Sequence, residues 1–260
     1  MVRLLEELTD LEKLALTPLS YSRLNTYTMC EAMYYYNYIQ KEDTIWGAAA
    51  KLGNVVHSVL EEQLERNKPV SPWHLEAYME EFEAQLDVHD EDRIISDQQI
   101  EAGYQMLEEF LVRHEGEKLP IFSKEFPFEL VIGKALFRGF IDRVDVTNDM
   151  IYITDYKSGR KEVAKKNIPM DLQLGIYALA IRHLVPNKPI YAELYYLKSG
   201  RQKGHLFTDD DLDAIEVRLL SLVKEILSKR HFQPNGSPNV CGFCDFAKTE
   251  VCKIGARRAR

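Results

Sequence analysis

Apolar residues recur at helical spacing over roughly the first 120 positions, and the pattern then changes to strand-like runs. Over 19–40 (LSYSRLNTYTMCEAMYYYNYIQ), Ser20 is placed to cap a helix or pair of helices with Tyr27, Tyr34, Tyr35, Tyr36 and Tyr38 on an aromatic face. Leu52, Val55, Val56, Val59, Leu60 and Leu64 mark the next helix, with Gly53 near its start. At about 100° per residue His57 falls at the edge of that apolar face. Ser71-Pro72 opens a further helix striped by Leu75, Met79, Phe82 and Leu86. Ser96-x-x-Gln99 forms a capping box ahead of Ile100, Tyr104, Leu107 and Leu111.

Strand composition follows at 126–132, 135–146 and 150–156, separated by a turn at Gly133 and by Thr147-Asn148-Asp149. A helix is predicted over 169–184, a strand over 189–197, and a short segment ending at Phe207. Thr208-Asp209-Asp210-Asp211 then starts a long amphipathic helix to Arg230, with its acidic first turn complementing the helix dipole. This order predicts an α/β protein, a central mixed sheet flanked by helices. With no internal repeat or low-complexity linker, residues 1–260 are expected to form a single domain. Within it, 1–120 is the mainly helical part, 121–207 the sheet core, and 208–260 the long helix and cysteine-rich tail.

Composition narrows the function. With 45% apolar and 28% charged residues the chain is ordinary globular material. A net charge of -8 argues against nucleic-acid binding through overall charge. The charge is segregated, however. Arg138, Arg143, Lys157, Arg160, Lys161, Lys165 and Lys166 cluster, and Lys198, Arg201 and Lys203 follow, while much of the acidity lies in 61–97. A solvated surface and a phosphate-tracking path are equally good readings of that basic run. The apolar runs fall short of the ~18 residues of a membrane span. The opening MVRLLEELTDLEKL lacks the features of a signal peptide, so no membrane association and a cytoplasmic location are expected.

Two constellations carry chemistry. Asp142 and Asp145 lie in one strand run, and the next ends in Asp155-Tyr156-Lys157. Side chains alternate along a strand, so Asp155 and Lys157 share a face and Tyr156 takes the other. One carboxylate from each run and a lysine can then converge, an arrangement suited to metal-assisted phosphodiester cleavage. Taken alone, His57 reads as a hydrogen-bonded boundary residue or as a ligand, and Gln173 with Tyr177, four apart on one helix face, as packing. The second constellation comprises all four cysteines, Cys30, Cys241, Cys244 and Cys252. A C-x-x-C pair in a cytosolic chain points to a metal or redox site, and four thiolates suit either zinc or a 4Fe-4S cluster. One distant cysteine with three close ones favours the cluster over zinc, and either would staple the N-terminal helix to the tail.

These motifs, in this order, resemble the RecB-like branch of the PD-(D/E)XK nucleases, in particular its iron-sulfur members. That group includes CRISPR-associated and AddB-type nuclease domains. GNVVH resembles the family's G-x-x-x-H, GFID its G-x-x-D, DYK its (D/E)-x-K and QLGIY its Q-x-x-x-Y. The resemblance implies a restriction-endonuclease-like core with a C-terminal Fe-S tail. It further implies magnesium or manganese held by His57, Asp142, Asp155 and the backbone carbonyl of Tyr156. Lys157 would stabilise transition-state charge, with Gln173 and Tyr177 positioning it or the DNA. Cys30, Cys241, Cys244 and Cys252 would hold the cluster. The implied activity is a DNA exonuclease acting on single strands or ends, in repair and recombination or in CRISPR or mobile-element DNA processing. With no G-x-x-x-x-G-K-(S/T) loop in the chain, any helicase motor or CRISPR-type partner would be a separate protein. The rival reading is a non-catalytic DNA-binding or assembly module, against which the intact Asp, Asp and Lys set speaks.

Overall fold

The computed structural model describes residues 17–42 and 47–259. In chain order the elements are α1 (Tyr21–Met29), α2 (Glu31–Tyr34), a π-helical turn (Tyr35–Gln40), α3 (Ala48–Gln63), α4 (Leu75–His89), α5 (Asp97–Arg113), β1 (Ile121–Ile132), β2 (Ala135–Val146), β3 (Ile151–Lys157), α6 (Leu172–Leu184), β4 (Ile190–Tyr196), β5 (Arg201–Phe207), α7 (Asp209–Ser228), α8 (Pro238–Cys241), α9 (Asp245–Lys248) and α10 (Lys253–Ala259). They form two compact units. The described residues of one are 17–42, 129–139 and 216–259; those of the other are 47–128 and 140–215.

The second unit is built on a mixed sheet of order β1-β2-β3-β4-β5, in which β3 pairs antiparallel with β2 and parallel with β4, and β4 antiparallel with β5. A parallel pair cannot be closed by a tight turn, and α6 supplies the crossover between β3 and β4. The apolar stripes of α3, α4 and α5 meet in one core, where Val56, Leu60, Phe82, Leu107 and Phe110 are completely or almost completely buried together with Tyr156 and Tyr195 of the sheet. Each such side chain contributes about 1.5–3 kcal/mol by leaving water. These helices cover the sheet face that carries Tyr156.

In the first unit, Ser20 Oγ accepts the amide of Arg23 at 3.2 Å, the cap expected from sequence. The helix breaks at Cys30, whose extended backbone (φ -161°, ψ 114°) separates α1 from α2. The C-terminal tail is bonded directly to this region. Ala32 N donates to Gln233 O at 3.2 Å, Gln233 N to Glu31 Oε2 at 2.9 Å, and Asn235 Nδ2 to Met29 O at 2.9 Å.

Two boundaries differ from expectation. β1 begins at Ile121 rather than Phe126, because Ser123-Lys124-Glu125 dilutes the apolar signal on a strand that lies at the sheet edge. α6 begins at Leu172 rather than at Pro169, which sits in a preceding 3-10 turn. Asp171 caps the helix by accepting the amides of Gln173 and Leu174, both at 3.0 Å.

Candidate active site

β2 and β3 bring the two carboxylates together by register. Arg143 lies opposite Thr154 and Val144 opposite Ile153, so continuing the antiparallel pairing one step sets Asp142 opposite Asp155 on the same face. Asp142 is tied to β3 by the amide of Tyr156, which donates to its Oδ2 at 2.7 Å. His57 Nδ1 reaches the same oxygen at 3.3 Å. Gly53 sits one helical turn before His57, and a Cβ there would stand 3.0 Å from Ser158 Oγ. The glycine of the G-x-x-x-H segment thus lets α3 approach the loop leaving β3 closely enough for His57 to reach Asp142.

Lys157 is held from two sides. Its Nζ lies 2.6 Å from Asp155 Oδ2 and donates to Gln173 Oε1 at 2.7 Å. Gln173 in turn donates from Nε2 to Tyr177 OH at 3.0 Å, so the two residues four apart on α6 form a relay ending at the lysine. The Asp171 cap fixes the first turn of α6 and with it Gln173. Tyr177 is wedged edge-on against Phe128, ring centroids 5.7 Å apart. Gly175 between them allows close packing, since a Cβ there would meet Ile215 at 2.8 Å.

The electrostatics are those of a crowded acidic site. Burial pushes the Asp142 carboxyl well above the usual carboxylate range, and the charge of Asp155 pushes it further. Burial pulls His57 down and so favours the neutral imidazole, although 30% of its side-chain surface stays open. Asp155 is only 2% exposed, and its Oδ2 is ion-paired with the Lys157 ammonium. Among the described residues no three His, Cys, Asp or Glu side chains form a ready-made metal-holding group.

Residues not singled out from sequence also reach this place. Glu61, Lys124 and Glu125 line one small pocket with His57, Asp142 and Tyr156. Burial, then the charges of Asp142 and Glu61, push Glu125 up to about 7, and its backbone is left-handed at φ 43°. Glu61 was findable as the residue one turn after His57. No local pattern marks Glu125, whose orientation depends on that strained backbone.

Asp145 does not join the site. It lies on the opposite face of β2, where its Oδ2 pairs with Arg143 Nε at 3.2 Å. Arg143 also donates to Tyr156 OH at 2.6 Å and Thr154 Oγ1 at 3.3 Å, and Thr154 donates to Glu193 Oε1 at 3.2 Å.

The four cysteines are all free, buried and in the first unit. Cys241, Cys244 and Cys252 share an apolar cluster with Phe246 and Ala247, against which Met33 and Tyr36 pack. Cys30 Sγ accepts the amide of Asn235 and Cys252 Sγ that of Gly255, both at 3.3 Å. Burial raises the Cys244 thiol, with smaller upward contributions from Cys30 and Cys252.

No described helix is long and apolar enough to cross a membrane. The chain is 32% identical over 127 residues to the Gene 69 protein of Mycobacterium phage L5, an alignment covering 46% of this chain and 41% of that one. It is 30% identical over 127 residues to the Gene 69 protein of Mycobacterium phage D29, covering 46% and 45%. It thus spans less than half the length of these curated relatives. A crystal structure from Eubacterium rectale, of a protein inferred to be an exonuclease, matches over 96% of this chain and 93% of that one, with a TM-score of 0.55 and 14% identity, a likeness of fold. The family model of the PD-(D/E)XK nuclease superfamily matches residues 18–253, a span that includes both the carboxylate site and the cysteines. The chain belongs to the PD-(D/E)XK nuclease superfamily.

Proposed function

We propose that this nuclease is a metal-dependent deoxyribonuclease that hydrolyses phosphodiester bonds as an exonuclease on single-stranded DNA or DNA ends. The observation that carries the reading is the shared face of Asp142 and Asp155, with Lys157 held between Asp155 and Gln173. The buried Asp155 and the half-buried Asp142, side by side and facing the Lys157 ammonium, form a hard oxygen donor set with more negative than positive charge. His57, Asp142, Asp155 and the Tyr156 carbonyl would hold magnesium or manganese, and a neutral imidazole in the set is easier for manganese. Such an ion supplies an acidified water and neutralises charge on the scissile phosphate.

The chain's own groups do the positioning. The Tyr156 amide orients Asp142. Lys157 presents a fixed cation to the charge that develops on the phosphate, and it need not reorganise because Gln173 and Tyr177 already hold it. Gln173 and Tyr177 are positioning residues.

A 4Fe-4S cluster is the proposed occupant of the cysteine group, and zinc fits it less well. Four buried thiols within one unit, two of them already accepting backbone amides, suit thiolate–iron bonding tuned by N–H···S contacts. Aerobic or anaerobic purification yielding a brown protein with stoichiometric iron supports the cluster; a colourless, zinc-containing protein rejects it.

The phage origin of the two sequence relatives favours mobile-element DNA processing over cellular repair. A helicase or a CRISPR-type protein is the kind of partner this reading accommodates. The deciding assay is degradation of end-labelled single- and double-stranded DNA with manganese or magnesium, comparing wild type with Asp155→Ala and Lys157→Ala. Wild-type digestion lost in both variants supports the reading. Wild type that degrades no more than the variants under either metal sinks it in favour of a non-catalytic DNA-binding module.

A further inference from the structure

Three phenylalanines around the site have no part in holding the carboxylates or the lysine. Phe122 is 58% and Phe140 54% exposed, so both rings are open to a ligand. Phe140 stands two positions before Asp142 on β2, and strand alternation sends both side chains to one face. On the edge strand β1, Phe122 and Phe126 lie with ring centroids 6.2 Å apart, and Lys124 falls between them in sequence. Lys124 lines the same pocket as His57, Glu125 and Asp142. Aromatic rings thus stand on two neighbouring strands, Phe140 on the face of Asp142 and the β1 pair on either side of the pocket-lining Lys124 in sequence.

Exposed aromatic rings also serve protein docking, but a lysine lining the pocket of His57 and Asp142 suits a chain that carries phosphates into it. Unpaired DNA needs this combination. Its bases expose π faces that stack on aromatic rings, while its phosphates need a cation to approach a site lined by carboxylates. Duplex bases are already stacked and present no such faces.

Resting on the deoxyribonuclease reading, we propose that Phe122, Phe126 and Phe140, with Lys124, form a stacking track for the unpaired bases of a single DNA strand and deliver its phosphates to Asp142 and Asp155. The track makes single strands the preferred substrate.

The test uses the full chain carrying Lys157→Ala, so that bound strands are not consumed, and single-stranded oligonucleotides containing 2-aminopurine. Fluorescence quenching on binding is expected. Phe140→Ala and Phe122→Ala should each weaken single-strand binding roughly 5- to 150-fold, the range of one lost base–aromatic stack. Phe140→Tyr should retain the quench, and duplex binding should not change. An abasic position opposite the ring should cost the parent protein as much as the ring's removal, and should cost the Phe→Ala variant nothing more. Unchanged affinity and quench in both alanine variants would overturn the track, as would loss of self-association with no loss of DNA binding, which would assign the rings to a second copy of the chain. The two readings fail separately. A wild type that cuts DNA but binds independently of the phenylalanines removes the track alone. Ring-dependent quenching by a protein that cuts nothing under either metal removes the nuclease reading and leaves the track.

Discussion

The two faces of the β2–β3 pair each carry buried charge, and they treat it in opposite ways. On the face of Asp145 the carboxylate has its own guanidinium. Burial raises Asp145, and Arg143, at 3.2 Å, pulls it back down. Arg143 then spends its remaining donors on Tyr156 and Thr154. On the face of Asp142 the strongest charged neighbour is a second carboxylate, which adds to burial instead of opposing it. The close cation Lys157 is shared with Gln173. A buried ion pair that neutralises itself is structural, whereas two neighbouring carboxylates that face a shared ammonium leave negative charge for an external cation. The same two strands thus carry a self-paired carboxylate on one side and two neighbouring carboxylates on the other, and Tyr156 links them through its hydroxyl and its amide.

The largest expected effect breaks the reactive face. Asp155→Ala should reduce DNA cleavage at least ~10²–10³-fold, on the scale of losing one preorganised electrostatic group, while leaving the melting temperature unchanged or higher. Measurement of both on one preparation separates the catalytic from the structural role. Arg143→Ala should do the converse. It strands Asp145 without a partner and should cost about 3–5 kcal/mol in denaturant unfolding. Equal stability of that variant and wild type would show that the self-paired face is not structural. Gln173→Ala should have a smaller effect, about 10–100-fold on kcat with KM nearly constant, because it loosens Lys157 without removing it. A larger loss in KM than in kcat would instead place Gln173 against the substrate.

The smallest effect concerns pH. Glu125 is pushed up to about 7, so the folded protein holds its proton more tightly than the unfolded chain does. The stability it lends is complete below the unfolded value of ~4.3 and is lost as pH rises through about 7. Metal-free wild type should therefore melt at progressively lower temperature across that window, and Glu125→Gln should flatten the decline. A variant with an unaltered slope would remove Glu125 from the charge crowd.

Much of this arrangement was legible in the sequence, for physical reasons that also set the limit. Strand alternation alone predicted that Asp155 and Lys157 share a face, and a period of 2 is insensitive to details of the backbone. Helical spacing placed Gln173 and Tyr177 on one side of α6, where they hydrogen-bond. The partner of Asp155 needed more, since Asp142 and Asp145 lie three apart on opposite faces and only the register of β2 against β3 selects between them. Glu125 was illegible because a left-handed backbone, not a residue pattern, orients it. The two compact units were hidden for a similar reason. The first is assembled from three stretches far apart in the chain, and contacts at such separation leave no local trace.

The comparison of faces is tested most directly by calorimetric titration of manganese into the metal-free protein. Saturable binding is expected in wild type, abolished in Asp155→Ala and in Asp142→Ala, and retained in Asp145→Asn on the opposite face. Undiminished binding in Asp155→Ala, or loss in Asp145→Asn with the fold intact, would contradict it.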